Sequence, residues 1–176
     1  MNELLDGWDT FYVIIGSSAA ALTGLMFVVV TLTAEARTAS DPAAFDAFAS
    51  PTIVHFCVVL LIAAVLTSPN HTRTSLAIST GLVGVIGLVY AAMVIVRMRR
   101  QSTYKPVGED WLFHSVFPVV AYLSLLGAAA SLWTGADWPL YLIAASALVL
   151  LYTGIHNSWD TATYMVIQTA KRQTPE

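Results

Sequence analysis

The sequence predicts an all-α, polytopic transmembrane helical bundle of about five spanning helices, with the N-terminus outside and the C-terminus cytoplasmic. Three observations carry that prediction. Of the 176 residues, 57% are hydrophobic and 11% charged, at a mean hydropathy of +0.70, whereas a soluble domain carries roughly 25% charged residues. Five long apolar stretches contain no Lys, Arg, Asp or Glu. The basic residues collect on alternate connections between those stretches. Eleven acids and eight bases are too few to give a soluble fold of this length its polar surface, so lipid must cover much of it.

The apolar stretches lie near Phe11 to Thr33, Thr52 to Thr67, Ser75 to Val96, Leu112 to Leu132 and Pro139 to Ile155 (11–33, 52–67, 75–96, 112–132 and 139–155). Crossing a hydrocarbon core of about 30 Å takes roughly 20 helical residues. One charge at mid-bilayer costs about 2.5–3.5 kcal/mol, against about 0.3–0.6 kcal/mol returned by each Leu, Ile, Phe or Val. In lipid the backbone must satisfy its own hydrogen bonds, which leaves the helix as the form for runs this apolar. Residues 1–176 are read as a single transmembrane domain.

Helix punctuation agrees with these borders. Ser50-Pro51 is an N-cap followed by proline at the first helical position, and Trp138-Pro139 repeats that placement after Asp137. Thr134-Gly135 closes the fourth helix, and so short a connection makes the fourth and fifth helices antiparallel neighbours. Residues 41–49, with Phe45 and Phe48 on one side, are a candidate interfacial helix. Residues 157–170 contain no breaker; they either extend the fifth helix as a cytoplasmic tail or lie on the inner surface. Residues 1–10 lack Lys and Arg, so no cleavable signal is expected.

Orientation follows from the cations. With the N-terminus outside, inner segments hold Arg37, Arg97, Arg99, Arg100, Lys105, Lys171 and Arg172, and outer segments hold only Arg73. All five tryptophans, Trp8, Trp111, Trp133, Trp138 and Trp159, fall at or just beyond a helix end, where an amphipathic ring prefers the headgroup level. The basic cluster around Arg99 forms no stripe for tracking phosphates, and a net charge of −3 argues against a nucleic-acid partner. Cys57 is the only cysteine, which excludes an intrachain disulfide and a Cys-based metal site.

Two groups of residues are candidate sites. Gly16, Ala20 and Gly24 recur at four-residue spacing in the first helix, the pattern that lets helix backbones approach closely in lipid. Ser17, Thr23 and Thr31 add hydroxyls that line a narrow water path if this helix faces a symmetry axis, or else bond back to their own backbone. Gly81, Gly84, Gly87 and Ala91 form a similar packing pattern in the third helix. The second group is a layer of polar residues at the inner level: Glu35, His55, His114, His156 and Asp160. His156 and Asp160 share a helical face with Tyr152. Pro118 lacks an N–H and so frees the carbonyl of His114. The layer is open to three readings: interfacial anchoring, a gating or pH-sensing cluster, or a divalent-metal or haem site. No cofactor is expected on the first two. His71 lies in the outer loop and is expected to be solvated.

Trp8, Phe11, Gly16, the run Ala19-Ala20-Ala21-Leu22-Thr23-Gly24-Leu25 and Phe27-Val28 resemble the opening helix of a group of small bacterial membrane proteins of unassigned function. Some of these are labelled possible modulators of a membrane-bound protease. Asn157-Ser158-Trp159-Asp160 is similar more loosely. The resemblance implies a multi-pass protein of a bacterial inner membrane and brings no catalytic residues with it.

The leading functional expectation is a homo-oligomeric, channel-like protein that conducts a small solute or ion passively. Small-residue and hydroxyl faces on a chain too short for a wide internal pathway support it, as does the lack of an intramembrane carboxylate. The alternatives are an accessory subunit of a larger membrane complex such as a protease, and a metal- or haem-dependent membrane enzyme using His55, His114 and His156.

Overall fold

Lipid-soluble sequence becomes helix almost throughout. The computed structural model describes residues 5, 7–32, 50–100 and 107–173, with side chains in the last helix as far as Thr163, and no strand occurs among the described residues. Five helices follow one another: α1 (Asp9–Leu32), α2 (Ser50–Leu66), α3 (Arg73–Arg100), α4 (Gly108–Leu132) and α5 (Trp138–Gln173). Four of them, α1, α3, α4 and α5, are long and apolar enough to cross a membrane; α2 is equally apolar but has 17 residues. The chain is therefore an all-α membrane-type bundle. Its outer surface carries large apolar side chains, among them Ile14, Phe27, Leu82 and Ile86, each more than half exposed, as a lipid solvent demands and water would penalise.

The borders differ from the sequence expectation in instructive ways. α3 runs past Val96 to Arg100, where Arg97, Arg99 and Arg100 occupy its last turn and meet the negative end of the helix dipole. α2 spans Ser50–Leu66, and Thr67 closes it by returning both its N–H and its hydroxyl to the Ala63 carbonyl. α5 does not stop at Ile155: it continues as one helix of 36 residues, about 54 Å at 1.5 Å per residue. Of the two readings of 157–170, the continuous helix is the one found. The candidate interfacial helix at 41–49 lies outside the described residues.

α4 contains an interruption that its proline dictates. Between Gly108–Trp111 and Phe117–Leu132 the chain makes a π-helical segment, Leu112–Val116, in which the Phe117 N–H reaches back to the Leu112 carbonyl. Pro118 brings no N–H to the ladder, and widening the preceding turn by one residue absorbs the mismatch.

The helices form a circuit in which α1 packs on α2, α2 on α5, α5 on α4 and α4 on α3. Glycines set the two closest approaches. A Cβ on Gly87 would enter the Tyr122 ring of α4, and one on Gly154 would come 2.5 Å from the Phe56 ring of α2. Although joined by a short loop, α2 and α3 barely touch, leaving an apolar groove of about 130 Å³ between Val58, Leu61, Val83 and Ile86. That loop corrects one expectation: His71 is only partly exposed, with its ring against the Val65 carbonyl, 2.6 Å from Ser68 Oγ and 3.2 Å from Ser75 Oγ. It fastens the end of α2 to the start of α3.

The two ends of the bundle are distinct. At one, Arg99 lies 5.8 Å from the Trp111 ring, Ser115 Oγ contacts Met98 Sδ at 3.7 Å, and His156 meets Glu109. At the other, Arg73 binds Asp137 at 2.7 Å and the Ala136 carbonyl at 2.7 Å, and the Trp8 and Tyr141 rings meet edge to face at 5.0 Å. Among the described residues with placed side chains, Arg97, Arg99 and Arg100 sit at the first end and Arg73 at the second. Ser50 and His55 share the end of the three arginines, because Phe56 packs on Gly154, two residues from His156.

Candidate polar site in the bundle

The small-residue face of α1 is split by the fold. Tyr12, Ile15, Gly16, Ala19 and Met26 are buried, and a Cβ on Gly16 would stand 2.7 Å from Ala63 Cβ of α2. Ser17, Ala20, Gly24 and Thr31 are exposed, and a Cβ on Gly24 would meet nothing within 4 Å. At about 100° per residue these four, with Ala21, form a stripe on nearly the opposite side of α1 from its buried face. Thr23 is half-buried between the two faces and bonds the Ala19 carbonyl at 2.8 Å; Ser18 and Thr31 bond Ile14 and Phe27 likewise. In α3 the expected packing holds, with Gly84, Gly87 and Ala91 buried.

The polar layer also divides. Glu35 lies outside the described residues. His156 stands between two carboxylates, with Nε2 3.2 Å from Glu109 Oε1 and Nδ1 3.4 Å from Asp160 Oδ2, and the Phe113 ring 3.5 Å away edge to face. Both carboxylates are about half exposed or more, so these pairs contribute little to stability. His114 is buried and donates from Nδ1 to the Asp110 carbonyl at 3.2 Å. His55 is buried and meets the Tyr122 hydroxyl through Nδ1 at 3.1 Å. The three histidines thus have different hydrogen-bond partners, while His55 and His114 are near enough to interact electrostatically. Among the described residues, no three His, Cys, Asp or Glu side chains form a group that could hold a metal ion.

What the sequence did not flag is a set of neutral polar groups beside His55. Thr52 Oγ1, His55 Nε2, Thr153 Oγ1 and both Asn157 amide atoms are buried without a hydrogen-bond partner; the residues are 0–1% exposed. Leaving one such group unpaired in a protein interior costs about 1–3 kcal/mol. The antiparallel register of α2 and α5, fixed where the Phe56 ring meets Gly154, puts these groups within about one helical turn of that contact. Thr52 is one turn from Phe56 toward the Ser50 end, and Asn157 is one turn from Thr153 in the same direction. Asn157 is flanked by His156 and a Ser158 that bonds the Gly154 carbonyl at 2.7 Å. Tyr12 also has an unpaired buried hydroxyl, on the helix that begins at the Arg73 end. The i,i+4 pair Thr153 and Asn157 was the available signal, one face over from the more conspicuous His156 and Asp160.

No family model, curated protein or solved structure matches the chain. Fold and site together define the class: an integral membrane protein, an apolar helical bundle with neutral polar groups buried near one end.

Proposed function

We propose that the protein is a homo-oligomeric, channel-like membrane protein that passes a small solute, with the stripe Ser17, Ala20, Gly24 and Thr31 of each α1 facing a neighbouring copy. One observation carries this reading: the helix face that combines small residues with hydroxyls points away from its own bundle. Large side chains flank it, Ile14 and Leu25 on one side and Phe27 on the other, and Val13 and Val28 lie within it, so close packing of a second helix rests on Ser17, Ala20, Ala21 and Gly24. The half of the bundle nearer Arg73 is filled by Leu66, Leu76, Leu132, Leu140 and Ile143, each 3% exposed or less. A path between copies therefore fits better than one through a single chain. The alternation of cations, seven against one, supports an orientation with the Ser50 end in the cytoplasm, in keeping with the bacterial inner membrane that the first-helix resemblance implies.

The test combines cross-linking with flux. In a Cys57→Ala background, Gly24→Cys in native membranes is expected to form a disulfide-linked dimer of the chain, whereas Ile15→Cys, on the buried face, is not. Purified protein in liposomes is expected to raise the permeability to small polar solutes, and Gly24→Leu to abolish that rise. Cross-linking of Gly24→Cys to a different protein would favour the accessory-subunit reading instead. Monomers without flux would overturn both.

A further inference from the structure

We propose that Thr52, His55, Thr153 and Asn157 form a binding site for a small uncharged molecule that both donates and accepts hydrogen bonds. Eight serine and threonine hydroxyls elsewhere in this bundle take the ordinary course in apolar helices and bond a carbonyl three or four residues back. Ser18, Thr23, Thr31, Thr67, Ser79, Ser146, Ser158 and Thr163 all do so. Thr52 and Thr153, fully buried, do not. Asn157, equally buried, uses neither its donor nor its acceptor. An amide with both ends idle is expensive in a bilayer interior unless something outside the protein's own polar inventory meets it.

The donor set defines what is recognised. No Asp, Glu, Lys or Arg occurs in α2, in α4 beyond Asp110, or in α5 before Asp160. A bound ion would find no countercharge on these facing helices, and desolvating it there would be prohibitive. The groups offered are two hydroxyls, one amide and one imidazole nitrogen. His55 is held through Nδ1 by Tyr122, whose ring is in turn pressed on Gly87. Nε2, on the other side of the imidazole, is thereby presented as a donor when Nδ1 accepts and as an acceptor when Nδ1 donates. An uncharged partner with both functions suits either arrangement. Water and a small amide share this chemistry. The site lies toward the Ser50 end of the bundle, and it does not depend on how copies associate.

The full-length protein in lipid nanodiscs, isotopically labelled at its asparagine and histidine side chains, tests this by nuclear magnetic resonance. The Asn157 side-chain amide is expected either to receive magnetisation from water or to shift saturably on titration with formamide; the first result identifies water as the occupant and the second an amide. Thr153→Val keeps the shape and removes one partner. It is expected to abolish the water transfer or to weaken formamide binding by roughly three- to tenfold, the effect of one hydrogen bond. Thr52→Val serves the same purpose if the first variant does not fold. An Asn157 amide that receives nothing from water and ignores formamide overturns the proposal. So does a Thr→Val variant with the wild-type response.

Discussion

Replacing Gly154 by Ala tests the contact that sets the register between α2 and α5. The added Cβ would stand 2.5, 2.9 and 3.0 Å from three carbons of the Phe56 ring, where relaxed carbon contacts are about 3.5–4.0 Å. Phe56 has no exposed surface, so its ring cannot swing clear and the helices must separate. Such overpacking costs about 1–3 kcal/mol, offset by up to about 1 kcal/mol for replacing a mid-helix glycine with alanine. The expected net change is a destabilisation of about 0–3 kcal/mol. Gly127→Ala is the control: nothing lies within 4 Å of its Cβ position, so only the favourable backbone contribution remains. Gly84→Ala should fall between them, because its nearest obstruction is the half-buried Leu126 side chain at 2.8 Å, which can rotate, whereas the Tyr122 carbonyl at 3.2 Å cannot. Unfolding in mixed micelles by added SDS, followed through the five tryptophans, ranks the three. Phe56→Leu should relieve Gly154→Ala in the double variant. Gly154→Ala at least as stable as Gly127→Ala would refute the packing assigned to α2 and α5.

Three further outcomes follow from the same geometry. The Arg73–Asp137 pair closes at 2.7 Å, but its side chains are 37% and 73% exposed; a double-mutant cycle should give a coupling of about 0–1 kcal/mol, and a value above about 2 kcal/mol would mean the pair is shielded from solvent. Cys57 is exposed on an apolar helix, where lipid keeps a water-soluble reagent away from the thiol; a water-soluble maleimide should leave it unmodified in sealed membranes and label it after unfolding in SDS, and rapid labelling in the membrane would place that face of α2 in water. α5 is about 54 Å long against a hydrocarbon core of about 30 Å; trypsin should cut near Lys171 and near Arg100 from the same side of oriented vesicles, and cleavage from opposite sides would break the five-helix alternation.

Much of the fold is legible because lipid imposes blunt rules. Charge exclusion marks the helices, and Ser50-Pro51, Thr134-Gly135 and Trp138-Pro139 mark three of their ends. Gly135, at φ +82°, takes the left-handed turn that its position after α4 requires. What stays hidden is which side of a helix faces protein. A soluble helix advertises its buried face by contrast with a polar one, whereas α1 is apolar or small all round and shows no such contrast. Of Gly16, Ala20 and Gly24, whose spacing suggests close approach to another helix, Gly16 meets Ala63, while Ala20 and Gly24 look outward. The length of α5 was hidden for a different reason: past Ile155 the residues become polar enough to leave the membrane but still contain nothing that stops a helix.

The polar site shows how little residue type alone decides. His55 and His114 look equivalent in sequence, each in an early turn of an apolar helix and each buried in the fold. Pro118 separates them. By withholding an N–H it forces the Leu112–Val116 turn to widen, and the His114 ring, within that segment, donates to the carbonyl of Asp110 in the turn before it. Its Nδ1 therefore serves the local backbone. α2 has no π-helical segment, and the His55 ring crosses to Tyr122 on α4 instead. His55 Nε2 remains unpaired, as do the hydroxyls of Thr52 and Thr153 and the Asn157 amide. Held by a partner helix through Nδ1 and unpaired at Nε2, His55 is therefore the histidine whose nitrogen the proposed site uses.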